Sequence, residues 1–327
     1  MVEDEGVSIQ RIGFELDAPS SSTVLEYQCT RIKRIENLDH VKGLKAKKIE
    51  NLDANTELES LDLYQNSIRK IENIDHLTNL RVLDLSFNEI DYIENLDTLT
   101  NLTELYLTSN RIAKVENVKT LSKLELLEVG SNKIRDYGEI SFLKELNSLW
   151  MGRNKLTNMS LPLLPRLTKC SLQNNRIREW DEAIVDNCPQ LQELYLSFNR
   201  LTEIPAFINK MKNLSILDLG NNKISKVHVD VANESIEEVW VREREYDFNK
   251  TQLNHNQIED DSEVIALQSF KKLQVLYLEH NPIHTKLGPG YRNRILALLP
   301  RTFTTIIRIY RTELSQLDAI PVVNRVT

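Results

Sequence analysis

Residues 80–96 read "LRVLDLSFNEIDYIENL", and three further stretches repeat that pattern: "LESLDLYQNSIRKIENI" (58–74), "LTELYLTSNRIAKVENV" (102–118) and "LELLEVGSNKIRDYGEI" (124–140). Aligned on their asparagines, Asn66, Asn88, Asn110, Asn132 and Asn154 fall at an unbroken spacing of 22. Further marks stand at Asn175, Asn199, Asn222, Asn256 and Asn281, spaced 21, 24, 23, 34 and 25. The unit is L-x-x-L-x-L-x-x-N-x-I-x-x-I. Its L-x-L stretch alternates with period two, so its leucines face one side and the residue between them faces the other. One such strand per unit stacks beside the next at about 4.8 Å to make a parallel sheet. After the strand the chain bends and leaves backbone groups without ladder partners. An asparagine, with two donors and an acceptor, satisfies them from inside the turn. The later I-x-x-I and leucines fill the space behind the sheet, so each unit acquires a core only when stacked.

This is a leucine-rich repeat. It predicts an α/β fold in the form of a right-handed solenoid. A curved parallel sheet lines its concave face, with short helical or 3-10 segments on the convex face. Boundaries follow from where the period starts and fails. Residues 1–22, ending in Ser20-Ser21-Ser22, read as a flexible acidic tail, 23–284 as the solenoid and 285–327 as a C-terminal cap. "YRNRILALLP" (291–300) reads as a helix closing the last apolar face. Two places break the period. "RIKRIENL" (31–38) runs into "AKKIENL" (46–52), and Thr30, in the asparagine position, lies 36 residues before Asn66, which is 8 short of two units. Between Asn222 and Asn256, removing 242–253 ("REREYDFNKTQL") restores a regular unit with Trp240 four residues before its asparagine. That insert is either a surface loop or translated sequence absent from the mature message.

Composition excludes several classes. The 327 residues carry 41 Lys and Arg against 48 Asp and Glu, a net charge of −7, which argues against nucleic acid and anionic membranes as main partners. No apolar run approaches the roughly 20 residues of a membrane helix, and Met1-Val2-Glu3-Asp4-Glu5 does not open a secretory signal. Cys29, Cys170 and Cys188 are odd in number and in no metal spacing, which fits reduced thiols in an intracellular protein. Cys170 reads as a small core hydrophobe. No phosphate-binding glycine loop, nucleophile elbow or Cys/His metal set is present, so neither an enzyme nor a cofactor or metal site is expected. His280 and His284 stand four apart with Pro282 between them, which opposes a shared helical face.

The position four before each asparagine lies between the strand leucines and faces the concave side. Along the chain it is Asp62, Asp84, Tyr106, Glu128, Trp150, Ser171, Tyr195, Asp218 and Tyr277, joined by Trp240 once the insert is set aside; Glu238 lies two residues earlier on the same face. A solvated sheet face accounts for Asp, Glu and Ser. It does not account for two tryptophans and three tyrosines. Aromatics among carboxylates on a preformed concave surface match protein-binding hot spots, for a partner surface rich in Lys or Arg.

The recurring "IEN" (35–37, 49–51, 71–73, 93–95), "VEN" at 115–117 and the terminal "LYLEHNPIH…YRNRILALLP…QLDAI" resemble the leucine-rich-repeat regulatory subunit of type-1 protein serine/threonine phosphatase, from about residue 24 to the end. The resemblance implies a non-catalytic scaffold of cytoplasm and nucleus. It would bind the phosphatase catalytic subunit on its concave face and modulate its activity or assembly, with a further inhibitor protein as a possible third member. The family's contact positions carry over as Asp84, Tyr106, Glu128, Trp150, Glu238, Trp240 and Tyr277. Tyr106 and Trp150 stand where that family typically has Phe. The stretch "RTFTTIIRIYRTELS" (301–315) separates Pro300 from "QLDAI" and departs from its cap. The competing reading is a structural adaptor of cytoskeletal or ciliary assemblies that uses the same face on another protein.

Overall fold

The computed structural model describes residues 34–35, 47–50, 52–228, 238–240, 256–270, 273, 275–278 and 280–299. The strands are β1 (Arg34–Ile35), β2 (Ser60–Asp62), β3 (Val82–Asp84), β4 (Glu104–Tyr106), β5 (Leu126–Glu128), β6 (Ser148–Trp150), β7 (Lys169–Ser171), β8 (Glu193–Tyr195), β9 (Glu203–Ile204), β10 (Ile216–Asp218), β11 (Lys226–Val227), β12 (Glu238–Trp240) and β13 (Val275–Tyr277). Eleven of them form one all-parallel sheet in chain order, β1 through β8, then β10, β12 and β13; β9 and β11 pair separately on the flank. From β2 onward each strand of this sheet joins the next at the matching position of its unit, so the sheet is the sequence repeat laid side by side, whereas β1 sets Ile35 of an "IEN" opposite Leu61. This is the expected solenoid.

Leucines and isoleucines of the unit account for the core. In the third repeat Leu80, Leu83, Leu85, Ile90, Ile93, Leu96 and Leu99 are all fully buried, and equivalent residues repeat this along one continuous core. Cys170 takes a leucine position at 0% exposure, as a small apolar side chain. Behind the sheet the chain turns through short i→i+3 bonds, such as Leu80 N to Leu77 O, which recur at Leu102 and Leu124. The 3-10 turns Gly138–Phe142 and Ala206–Lys210 and the one-turn helix α1 (Ile184–Asn187) supply the expected short convex segments.

The asparagines do more than close their own turn. Asn132 Nδ2 donates to Val129 O and Gly130 O of its own unit and to Leu107 O of the unit before, and its Oδ1 accepts from Ile112 N at 2.9 Å. Asn88, Asn110, Asn154, Asn175, Asn199 and Asn222 make the same set. These side chains therefore stitch repeat to repeat as well as supporting the bend.

The "IEN" asparagine has a second structural job. Asn73, Asn95 and Asn117 lie at φ 57–59°, a left-handed conformation asparagine tolerates, and their Nδ2 groups donate to Ile49 O, Ile71 O and Ile93 O. In the next unit Gly138 takes the left-handed turn (φ 52°), and Glu139 N donates straight to Val115 O at 2.9 Å. A backbone amide replaces the amide side chain.

Two irregularities behave differently from one another. Thr30, expected as a turn residue, lies outside the described residues, and the first strand seen is Arg34–Ile35, which follows Thr30 and pairs with Ser60 and Leu61. A two-residue extended stretch suffices to pair with the sheet edge, so the shortened interval needs no full unit. At the insert, β12 pairs in register with β10 and β13, while Asn256 serves as that unit's asparagine: Ile224 N donates to its Oδ1 at 2.8 Å and its Nδ2 to Leu219 O. Residues 242–253 and 301–315, like the tail 1–22, lie outside the described residues.

Around the last strand, α2 (Asp261–Ala266) precedes it and α3 (Pro282–Leu287) and α4 (Tyr291–Leu298) follow. The helix expected at 291–300 is α4; it buries Tyr291 and Ile295 and is tied to α2 by Arg294 with Asp261. Pro282 starts α3, where a missing N–H costs nothing, and His280 precedes the helix, so the two histidines share no helical face. They approach edge to face at 6.0 Å between ring centroids across that turn, with Tyr291 4.6 Å from His284. Burial, and secondarily His280, lower the His284 pKa. Among the described residues no group of side chains is arranged to hold a metal ion, and no helix is long and apolar enough to cross a membrane.

Candidate protein-binding face

Strand register decides which side chains stand together. Asp62, Asp84, Tyr106, Glu128, Trp150, Ser171, Tyr195, Asp218, Trp240 and Tyr277 are Cα partners rung by rung across the sheet. From Asp84 to Tyr277 there are eight steps at about 4.8 Å, a line of roughly 38 Å. The predicted residues Asp84, Tyr106, Glu128 and Trp150 are consecutive rungs. Trp240 and Tyr277 are neighbours at the far end, and Glu238 lies one row aside, opposite Ile216 and Val275.

The line is not uniformly open. Asp84, Tyr106, Glu128, Trp150 and Tyr195 are half-buried, whereas Ser171 and Asp218 are buried. Asp218 is occupied internally: Gly220 N donates to its Oδ1 at 3.1 Å and Gln173 Nε2 to its Oδ2 at 3.0 Å. Asp84 has a similar split role, since Ser86 N donates to its Oδ1 at 2.8 Å, and Asp62 accepts from Tyr64 N in the same way. A carboxylate two residues before an amide makes this local turn readily. Aspartate is therefore in this column partly for the fold, which the reading of the column as purely solvent-facing missed. Glu128 keeps more freedom: among the described residues its side-chain hydrogen bond is Oε1 accepting from the Thr108 hydroxyl at 2.9 Å.

The aromatics are pre-positioned. Tyr106 and Tyr195 each donate their hydroxyl, at 2.7 Å, to a glutamate two residues earlier, Glu104 and Glu193. Burial, then that bond to Glu104, then the charges of Glu104, Glu128 and Asp84 push the Tyr106 pKa upward, so it stays a neutral donor. Trp150 stacks on Tyr195 across Ser171, with centroids 6.2 Å apart and planes 21° from parallel. Only a side chain as small as serine on the intervening rung lets those rings meet. Beside Trp150 lies a depression of about 250 Å³, lined among others by Thr108, Glu128, Gly152, Ser171 and Phe198. Its floor is bare because Gly130 and Gly152 follow consecutive strands; a Cβ at Gly152 would stand 3.3 Å from Gln173 O.

From β2 to β10 the two outward rows of the main sheet carry Asp62, Asp84, Glu104, Glu128, Glu193 and Asp218 against the single cation Lys169, itself paired with Glu193 at 3.0 Å. The second row of Glu104, Lys169 and Glu193 was missed in sequence; period-two alternation from the ladder position was the signal for it.

Comparison with known proteins agrees with this architecture. A family model described as a leucine-rich repeat region matches residues 14–233. The chain is similar to tubulin-folding cofactor E of Arabidopsis thaliana, 30% identical over 141 residues, covering 37% of this chain and 27% of that protein. It is also similar to lumican of Bos taurus, 28% identical over 152 residues, covering 42% and 44%. The chain thus spans less than half of either relative. Among solved structures, a leucine-rich-repeat protein of Leptospira interrogans aligns with TM-score 0.62 at 25% identity, over 83% of this chain and 71% of that one. An internalin of Listeria monocytogenes aligns with TM-score 0.54 at 22% identity over 73% and 79%, a likeness of fold. No catalytic family is indicated by these matches, and leucine-rich-repeat folds are generally non-catalytic modules for protein–protein contact. This chain belongs to the leucine-rich-repeat family.

Proposed function

We propose that this scaffold is a regulatory subunit of type-1 protein serine/threonine phosphatase, acting in cytoplasm and nucleus. Its concave ladder binds the catalytic subunit, with room in the complex for a further inhibitor protein. The observation that supports this reading is the run Asp84, Tyr106, Glu128 and Trp150 on adjacent rungs, continued by Trp240 and Tyr277. These are the positions that the phosphatase-regulator resemblance assigns to partner contact, and no core requirement places the aromatics there. In this reading Trp150 and Trp240 are anchors, and Glu128, Glu238 and the free oxygen of Asp84 meet basic groups of the catalytic subunit. The test is titration of the chain against a type-1 catalytic subunit, following both binding and dephosphorylation rate. Sub-micromolar binding is expected, with a loss of about 2–4 kcal/mol for Trp150→Ala or Trp240→Ala. Absence of binding by a folded chain would reject the proposal.

The likeness to tubulin-folding cofactor E favours a second reading, a cytoskeletal adaptor using the same face. Capture of tubulin but not phosphatase, again sensitive to Trp150→Ala, would select it.

A further inference from the structure

The residue directly after each ladder asparagine forms a column of its own. Over six consecutive repeats it is Arg111, Lys133, Lys155, Arg176, Arg200 and Lys223. Each backbone N–H donates at 2.8 Å to the residue two past the preceding asparagine: Ile90, Ile112, Ile134, Leu156, Ile177 and Leu201. That stacks the column in register. The asparagine before and the aliphatic residue after are buried in every case, so the cations face outward; five are exposed and Lys155 is half-buried. Arg111 pairs with Glu89 at 3.2 Å, and the other five make no ion pair among the described residues.

The row two residues after is exposed or half-buried on the same outward side and adds Arg135 and Arg178 and no carboxylate. Eight of these twelve positions are basic, while Lys and Arg are 41 of 327 residues, so composition alone puts about one or two there. Like charges on adjacent rungs repel one another and lower stability. Here one sign is kept over six repeats, and among the described residues a carboxylate relieves it only at the first, where Arg111 meets Glu89 of the preceding rung, in a chain of net charge −7.

We propose that this stripe is a second binding surface that takes an acidic, extended segment of a protein partner. Its five steps at about 4.8 Å span roughly 24 Å, the length of about seven extended residues. Lys and Arg stems are flexible enough to meet carboxylates on both sides of such a strand. The acidic concave rows lie around the bend of the same loops and repel a wide polyanion. Nucleic-acid surfaces interleave aromatics with the cations, whereas the column and its flanking row hold no aromatic. A narrow acidic peptide fits both restrictions. The chain would thus present opposite charge on two faces and bridge a basic partner and an acidic one.

The experiment is fluorescence anisotropy of the full chain with a labelled Glu/Asp-rich peptide about eight residues long, matched to the span. A uridine-rich RNA oligonucleotide of equal charge serves as competitor. Binding that weakens as salt rises is expected. It should fall about tenfold in Lys155→Glu/Arg176→Glu, where two cations are removed and reversed. It should be unchanged in Lys123→Glu/Lys212→Glu, which lie off the stripe. Circular dichroism confirms folding of each variant, and Trp150→Ala, on the concave face, should bind the peptide normally. Failure of the chain to bind, binding indifferent to the stripe reversal, or preference for the RNA would each overturn the proposal.

Discussion

Replacing Asn132 with alanine tests the view that ladder asparagines hold adjacent repeats together. Four hydrogen bonds are lost, but their consequences differ. Leu107 O still accepts from Asn110, Val129 O from Asn154 and Gly130 O from Ser109 N. Ile112 N has Asn132 Oδ1 as its partner, and at 0% exposure that residue gives it no water in exchange. One orphaned buried N–H costs about 1–3 kcal/mol, and the loss of the remaining neutral bonds adds about 1 kcal/mol. The expected loss is therefore about 2–4 kcal/mol, well below four times a full hydrogen bond. Urea unfolding followed by circular dichroism measures it through the midpoint at constant slope. Asn101→Ala is the internal control: its Nδ2 also crosses to the preceding repeat, at Thr78 O, but in an exposed setting, so about 0.5 kcal/mol or less is expected. Equal losses for the two variants would refute the reasoning, since burial of the orphaned amide is what separates them.

Two further outcomes follow from local geometry. Gly138→Ala places a Cβ 2.1 Å from Val115 O at a φ of 52°, and should cost upwards of about 2 kcal/mol on the same urea assay; a midpoint equal to wild type contradicts this. Burial raises the Cys170 thiol well above its usual range and pushes Cys188 up to about 12, so both should resist a thiol reagent at neutral pH until the chain unfolds. Mass spectrometry of the labelled native protein checks this, and modification of either before unfolding would contradict it.

Much of the molecule was legible in the sequence because a repeat has few ways to fold. Leucine alternation gave the strands, and the 22-residue spacing gave their order and parallel sense, since each unit buries its apolar residues only against copies of itself. The concave column was readable for the same reason: once strand and register are set, the residue between the leucines has one side left to face. Even the long interval before Asn256 was readable, because Trp240 and that asparagine keep their places in the repeat whatever lies between.

Other features needed three dimensions. That Asp84 and Asp218 bind their own turns, and that Asp218 is buried, depends on backbone amides whose positions the side-chain pattern does not record. The stacking of Trp150 on Tyr195 depends on the small residue between two rungs that are 45 positions apart in sequence. The role of "IEN" appeared only when Asn117 Nδ2 and, one unit on, Glu139 N were seen to make the equivalent inter-repeat bond by different atoms. The basic column was written in the sequence, but its nature as a continuous stripe, ion-paired at Arg111 alone among the described residues, came from the stack. Periodicity determines which residues recur on each face, because apolar burial is strong and depends little on direction. Which polar groups are spent inside the fold and which remain for a partner was decided by tertiary structure, because hydrogen bonds and ion pairs form only where distance and angle permit.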